Sequence, residues 1–395
     1  MPKVFLKGMN ACHMRNREVL QYRKFFIANG YEFVAGPESA DVILVWTCGF
    51  REDYKTASIQ KCLNYKENYS GSLVIAGCLP SIAPDEIRAY FPDVEMMPWK
   101  NDVCKMNELF SANGCTLSEF DDLIYVEEQV CEDAAEYRRK HPDADVTFHD
   151  QFIKMLVAEG CKYNCTYCSE KAVFPAYRSF PVFALADELA LSIQRTGVNK
   201  AILLADSLGQ YGNDIGSSFG ELLLELKRKC PAAKFALNNL HLSDFLRFKD
   251  ILEELIKENT ICHINLPIQS GSDRILLRMN RLYEKQDIVE VFSLFNKIGF
   301  KDFDTHIIVG FPGESERDFN ETLEILTTYR PKYVLGSLYM ESQAAASRQM
   351  FPKISTSRMV ARARTLQQAM DSAGIICNCD HSEISNERLN RMCID

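Results

Sequence analysis

The chain reads as an α/β protein in two units, a small doubly wound parallel sheet followed by a barrel-like series of parallel strands. Three observations predict this. Short apolar runs alternate with helix-length stretches along most of the chain, the pattern of repeated βα units. The alternation fades between about residues 117 and 150, where the acidic pairs Glu127-Glu128 and Glu132-Asp133 stand, and then restarts. A length of 395 residues with 47% hydrophobic and 25% charged content suits a globular chain of two or three domains and excludes fibrous and disordered classes.

In the first unit, strands are expected over residues 4–6, 42–46 and 73–76. Helices are expected over 17–29, closed by Gly30 at the position after the last turn, over 51–65, and from Pro84 to Tyr90. The Val-Ile-Leu-Val-Trp run at 42–46 is apolar throughout, as a strand covered on both faces must be. In such sheets ligands gather at the carboxyl ends of the strands. The second unit predicts six strands, over 152–157, 201–205, 234–237, 263–267, 303–309 and 333–338. Helices are expected between them, over 184–195, 220–229, 244–257, 285–297 and 316–329. Six such strands with crossover helices make a partial or complete barrel with its chemistry at one mouth. A last helix near 357–373 leaves a short polar tail.

Charge and cysteine content bound the function. A formal net charge of −9 argues against long-range attraction to phosphate backbones, although a local basic patch remains compatible with it. No apolar run reaches the roughly 18 residues of a spanning helix. The first residues are too short an apolar stretch for a secretory signal, so a cytoplasmic chain with no membrane partner is expected. Fifteen cysteines in so long a chain are not a small disulfide scaffold. In a reducing compartment they are metal ligands, reactive thiols or small buried hydrophobes.

The strongest motif is Cys161-Lys162-Tyr163-Asn164-Cys165-Thr166-Tyr167-Cys168, placed directly after the first strand of the second unit. Three thiolates within eight residues can reach three corners of an iron–sulfur cubane. A structural zinc site needs four ligands, and no fourth Cys or His follows nearby. Three ligands leave one iron open. The competing readings are incidental buried cysteines and a zinc site completed from elsewhere.

With this triplet the sequence resembles the radical S-adenosylmethionine (SAM) enzymes. Two further segments narrow the resemblance to the methylthiotransferases: Pro267-Ile268-Gln269-Ser270-Gly271-Ser272-Asp273 with Arg278-Met279-Asn280-Arg281, and Asp304-Thr305-His306 running into Gly310-Phe311-Pro312-Gly313-Glu314. The resemblance covers residues 1 to about 340. It implies a flavodoxin-like domain over 1–120, a connector over 121–150, a radical SAM partial (β/α)6 barrel over 151–375 and a tail over 376–395. It also implies SAM as cofactor, bound at the open iron and cleaved to a 5′-deoxyadenosyl radical that abstracts hydrogen from an unactivated carbon.

Cys12, Cys48 and Cys78 each fall just after an expected strand, at spacings of 36 and 30 positions, which would gather three thiols at one sheet edge. The residues alone leave buried structural thiols open as the alternative. The resemblance implies that they hold a second [4Fe–4S] cluster, the site of sulfur attachment. It also implies SAM contacts at Asp206 and Gly209, at Gln269 and Ser270, at Thr305 and His306, and at Arg178. Each has a structural alternative: a polar turn, a satisfied interior group, a surface cation.

The family usually adds a small RNA- or protein-gripping barrel, the TRAM domain, which about 22 residues after Ala373 cannot build. Arg178 is the only arginine between Ser169 and Pro181. These features favour a small-molecule, peptide or carrier-bound acceptor over tRNA, with an electron donor such as flavodoxin or ferredoxin. The enzyme alternative is a tRNA methylthiotransferase that recruits a separate RNA-binding partner. A non-catalytic metal or redox-sensing module is the reading from another class; it would form no deoxyadenosine from SAM and dithionite.

Overall fold

The computed structural model describes residues 1–9, 13–50, 52–99, 102–120, 124–125 and 152–379. The first unit is a five-stranded parallel sheet. Its strands are β1 (Lys3–Met9), β2 (Glu32–Phe33), β3 (Val42–Thr47), β4 (Ser72–Gly77) and β5 (Glu95–Pro98), in the order β2-β1-β3-β4-β5. Side chains alternate across it. Val4, Leu44, Trp46, Val74 and Ala76 pack under the helices His13–Ala28 and Asp102–Phe110, through Tyr22, Phe25, Phe26, Met106 and Phe110. Ile43, Val45 and Ile75 pack on the other face, under the helices Glu52–Asn68 and Pro84–Tyr90. Two covered faces explain the continuous apolar runs.

The second unit holds β6 (Ile124–Tyr125), β7 (Ile153–Leu156), β10 (Lys200–Leu204), β11 (Lys234–Leu237), β12 (Ile261–Asn265), β13 (Phe303–Val309), β14 (Tyr333–Leu338) and β15 (Ile376–Cys379) in one sheet. A two-stranded ribbon joins β8 (Ala158–Glu159) to β9 (Arg178–Ser179). The strand order is β15-β14-β13-β12-β11-β10-β7-β6, with β6 antiparallel and the other seven parallel. Among the described residues β15 and β6 do not pair, so the barrel stays open.

Three expectations change. The segment read as the start of a polar tail is a seventh parallel strand, β15, in register with β14 (Tyr333 opposite Ile376, Gly336 opposite Cys379). Gly374 at φ +65° ends the preceding helix, and the buried Ile375 and Cys379 pull the chain into the sheet. The helix expected over 244–257 is two, Leu242–Arg247 and Lys249–Lys257, broken at Phe248. Ile124 and Tyr125, placed in the connector, pair with β7. Most of that connector, and the tail beyond 379, lie outside the described residues.

On β13 the residues alternate strictly between buried and part-exposed. Phe303, Ile307 and Val309 belong to the core that holds Phe292, Phe295 and Leu326 of the outer helices. Asp304, His306 and Ile308 therefore face the barrel lumen.

Candidate functional site

The thiol loop leaves β8 through Gly160, whose φ of +82° and closeness to the Ala176 carbonyl leave no room for a side chain. Asp206 accepts the Gly160 N–H at 2.7 Å, so this carboxylate sets the start of the loop. From the far side, residues 278–281 clasp it. The Thr166 N–H and hydroxyl donate to the carbonyls of Met279 (3.0 Å) and Arg278 (2.8 Å), and the Asn280 amide donates to the Asn164 carbonyl (2.9 Å). The Ser347 N–H closes on the Thr166 carbonyl at 2.8 Å.

Cys161, Cys165 and Cys168 are all half-buried in this loop. Burial, then Glu170, pushes the Cys161 thiol up to about 12, and the Cys168 thiol rises for the same reasons. Such thiols ionise when a metal supplies the compensating charge. Among the described residues no group of three Cys, His, Asp or Glu gathers at single-ion spacing. Cubane ligands stand on separate irons and so spread wider than the ligands of one ion, and three thiols on one loop can take three of its corners.

Two of the three N-terminal cysteines lie side by side. Cys48 follows β3 and Cys78 follows β4, and the two strand ends are locked together. The Thr47 hydroxyl donates to the Ala76 carbonyl at 2.7 Å, and the Cys78 N–H donates to the Thr47 carbonyl at 3.0 Å. Gly77 at φ +94° permits this, since a Cβ there would stand 2.6 Å from the Thr47 oxygen. Both cysteines are buried. Met9, the end of β1, is opposite Thr47; Cys12, three positions further on, lies outside the described residues.

This edge faces the thiol loop. Arg17 pairs with Glu159, two residues before Cys161, at 3.1 Å with both side chains buried. Cys78 and Ile82 share an apolar cluster with Val173 and Phe174, which directly follow the loop, and Trp99 meets Phe174 edge-on at 4.4 Å.

The remaining expected contacts divide. His306 faces the lumen with Asp304, beside His263 and Asn265 on β12. The Asn265 oxygen accepts from the Asn239 N–H (3.1 Å), so its amide nitrogen must donate to Asp304 and to His306 Nε2 (3.1 Å). His306 Nε2 therefore accepts, and the ring proton sits on Nδ1. Burial lowers the His306 pKa and keeps the ring neutral. Burial works against the Asp304 charge, yet His263 and the Asn265 amide hold its carboxyl below the ordinary range.

Gln269, at φ +66°, bridges to Ile307 through bonds to the His306 carbonyl and the Ile308 N–H. Thr305 and Ser270 do not face the lumen. The Thr305 hydroxyl is committed to the Leu266 carbonyl and the Ile268 N–H. Ser270 is buried and accepts from the Ser272 N–H within a turn that packs on the helix Glu316–Tyr329. Gly209 packs against Asp244, and Arg178 is exposed with its guanidinium over Phe180.

Sequence reasoning passed over three groups that this geometry brings forward. Tyr163 stacks on His241 (centroids 3.9 Å apart, 16°) and meets Gln210, which also bonds Asp244. Arg281, quoted only as part of a motif, touches Cys165. Asn265 had no local signal at all.

An open parallel barrel with three loop thiols at its mouth defines the class of radical SAM enzymes. A family model described as Radical SAM superfamily matches residues 155–326, and one described as Uncharacterized protein family UPF0004 matches residues 4–98. The chain belongs to the radical SAM methylthiotransferase family, whose cofactors are the [4Fe–4S] cluster and SAM. It is 31% identical over 312 residues to the ribosomal protein uS12 methylthiotransferase RimO of Clostridium botulinum, covering 77% of this chain and 68% of that one. It is 26% identical over 357 residues to a probable threonylcarbamoyladenosine tRNA methylthiotransferase of Methanocaldococcus jannaschii, covering 89% and 80%. Among solved structures, the radical SAM methyltransferase TsrM of Kitasatospora setae, with tryptophan substrate and a SAM analogue bound, shares the fold at a TM-score of 0.60. The identity there is 14%, over 88% of this chain and 75% of that one. Among the described residues no helix is long and apolar enough to cross a membrane.

Proposed function

We propose that this methylthiotransferase carries two [4Fe–4S] clusters and attaches a methylthio group to a carbon of a protein side chain. Cys161, Cys165 and Cys168 would hold the SAM-binding cluster, and Cys12, Cys48 and Cys78 the auxiliary one. The first cluster, when SAM is bound to it, supplies a 5′-deoxyadenosyl radical for hydrogen abstraction. The observation that carries the reading is the joint between the two units, where Arg17–Glu159 and the Cys78–Phe174 cluster turn the N-terminal strand ends toward the thiol loop.

The chain's own residues then have separate tasks. Asp206 and residues 278–281 hold the thiol loop in shape. His306, held as the Nδ1–H tautomer by Asn265, offers a fixed donor in the lumen to an oxygen of the acceptor. The apolar packing around Cys78 keeps water from the space between the sites.

The relatives named above act on a ribosomal protein and on tRNA, which gives a small-molecule acceptor no support. Of the two macromolecules a protein fits better, because a chain of net charge −9 is poorly matched to a phosphate backbone. The tRNA reading stays as the second one, on the longer alignment with the archaeal tRNA enzyme.

Anaerobically reconstituted protein should hold about eight irons, four for each cubane. Replacing Cys12, Cys48 and Cys78 together by Ala should leave about four and retain deoxyadenosine formation while abolishing sulfur transfer; retained transfer would refute the second cluster. Incubation with SAM, reductant and either ribosomal protein or tRNA, read by mass spectrometry for a gained SCH3 group, decides the acceptor. Modification of tRNA with a salt-sensitive gel shift would overturn the protein reading.

A further inference from the structure

We propose that Arg281 sets the reduction potential of the SAM-binding cluster by bonding the Cys165 sulfur. The inference rests on the assignment of Cys161, Cys165 and Cys168 as ligands. Arg281 spends its donors on the Tyr283 hydroxyl (Nε, 2.9 Å), the Pro267 carbonyl (Nη2, 2.8 Å), the Tyr167 hydroxyl (Nη1, 3.3 Å) and Cys165 Sγ (Nη1, 3.5 Å). Among the described residues no carboxylate pairs with it, whereas Arg17, Arg274 and Arg362 each have one. A guanidinium whose direct partners are otherwise neutral favours an anion in a low-dielectric site, and the Cys165 thiolate is the one in hydrogen-bond contact.

The contact is rigid. Asn280, at φ +57°, bonds the Asn164 carbonyl, Met279 and Arg278 bond Thr166, and Tyr283 is itself anchored to the Ile268 carbonyl at 2.8 Å. Arg281 is thus fixed to the same loop that carries the thiols.

Three thiolates on a cubane make a site of net negative charge, and reduction adds one electron from a low-potential donor without adding a proton. A fixed cation and an N–H···S bond stabilise the more negative state, because hydrogen bonds to sulfur and net charge are what tune such clusters. Arg281 therefore makes the cluster easier to reduce. It is a positioning residue that acts through the cluster.

The test is an EPR-monitored potentiometric titration of reconstituted wild type, Arg281→Lys and Arg281→Gln, with iron counted in each. Arg281→Gln should keep its iron and lower the midpoint by at least the ~59 mV that corresponds to a tenfold change in a one-electron equilibrium. Arg281→Lys, which keeps the charge and loses the fork, should fall by less. Fully loaded variants with the wild-type midpoint overturn the inference. If Arg281→Gln does not load, the wild type decides: its reduced cluster, in protein labelled with 15N-arginine, should show a nitrogen coupling that Arg281→Lys lacks, and no coupling overturns the inference. A Cys165→Ala variant that keeps the SAM-binding cluster would instead refute the ligand assignment.

Discussion

His241 stacks on Tyr163 and caps the helix Leu242–Arg247 by accepting the Ser243 N–H. Burial, helped by Arg281, pushes its pKa down to about 2. In the unfolded chain the same imidazole takes a proton near 6.5. Between these values the unfolded state binds more protons, so folding stability falls as pH drops below about 6.5. His241→Asn keeps a capping oxygen without that titration. Urea denaturation from about pH 7 to 4 should give a flatter stability curve for the variant, and parallel curves would disprove the account. Thr305 is also structural: Thr305→Val strands a buried carbonyl and a buried N–H and should cost about 1–3 kcal/mol in the same measurement. Sequence reading put Thr305 and His306 together as cofactor contacts. Neighbours on a strand point to opposite faces, and only His306 looks into the lumen.

At the level of elements, the helices are the most legible part, because their signals are local. Glu316–Tyr329 and Pro84–Tyr90 match the expected bounds. The helix Phe219–Lys229 carries a full capping box, Ser218 with Glu221. Ser218→Ala should lower unfolding stability by about 1 kcal/mol and leave SAM cleavage unchanged; an unchanged stability would show that the cap contributes nothing. Short edge elements escaped notice. β2 and β5 are two and four residues long, and β15 continues a helix end with only four residues. Such strands form because a neighbouring strand offers unpaired backbone groups, a fact that no local pattern contains.

Across the whole molecule, the two units are joined through the buried Arg17–Glu159 pair. Glu159→Gln removes a buried carboxylate that pairs with Arg17 and should destabilise the protein by up to about 3–5 kcal/mol, whereas Arg17→Met with Glu159→Leu should recover much of the loss. Thermal unfolding of the two variants checks this, and equal losses would deny the coupling. The chemistry was readable along the chain because three thiols within eight residues need only one loop to bring them together, and the Gln-Ser-Gly-Ser and Gly-Phe-Pro-Gly-Glu segments are equally compact. The apolar runs likewise dictated parallel strands under helices, since period and hydrophobicity act over a few residues. What faces what was decided in three dimensions. Arg281 lies more than a hundred positions from Cys165, and Asn265 turns His306 by way of Asn239 on another loop. Contacts of that kind arise from strand order and packing, which depend on the whole chain at once and leave no mark on any short stretch of it.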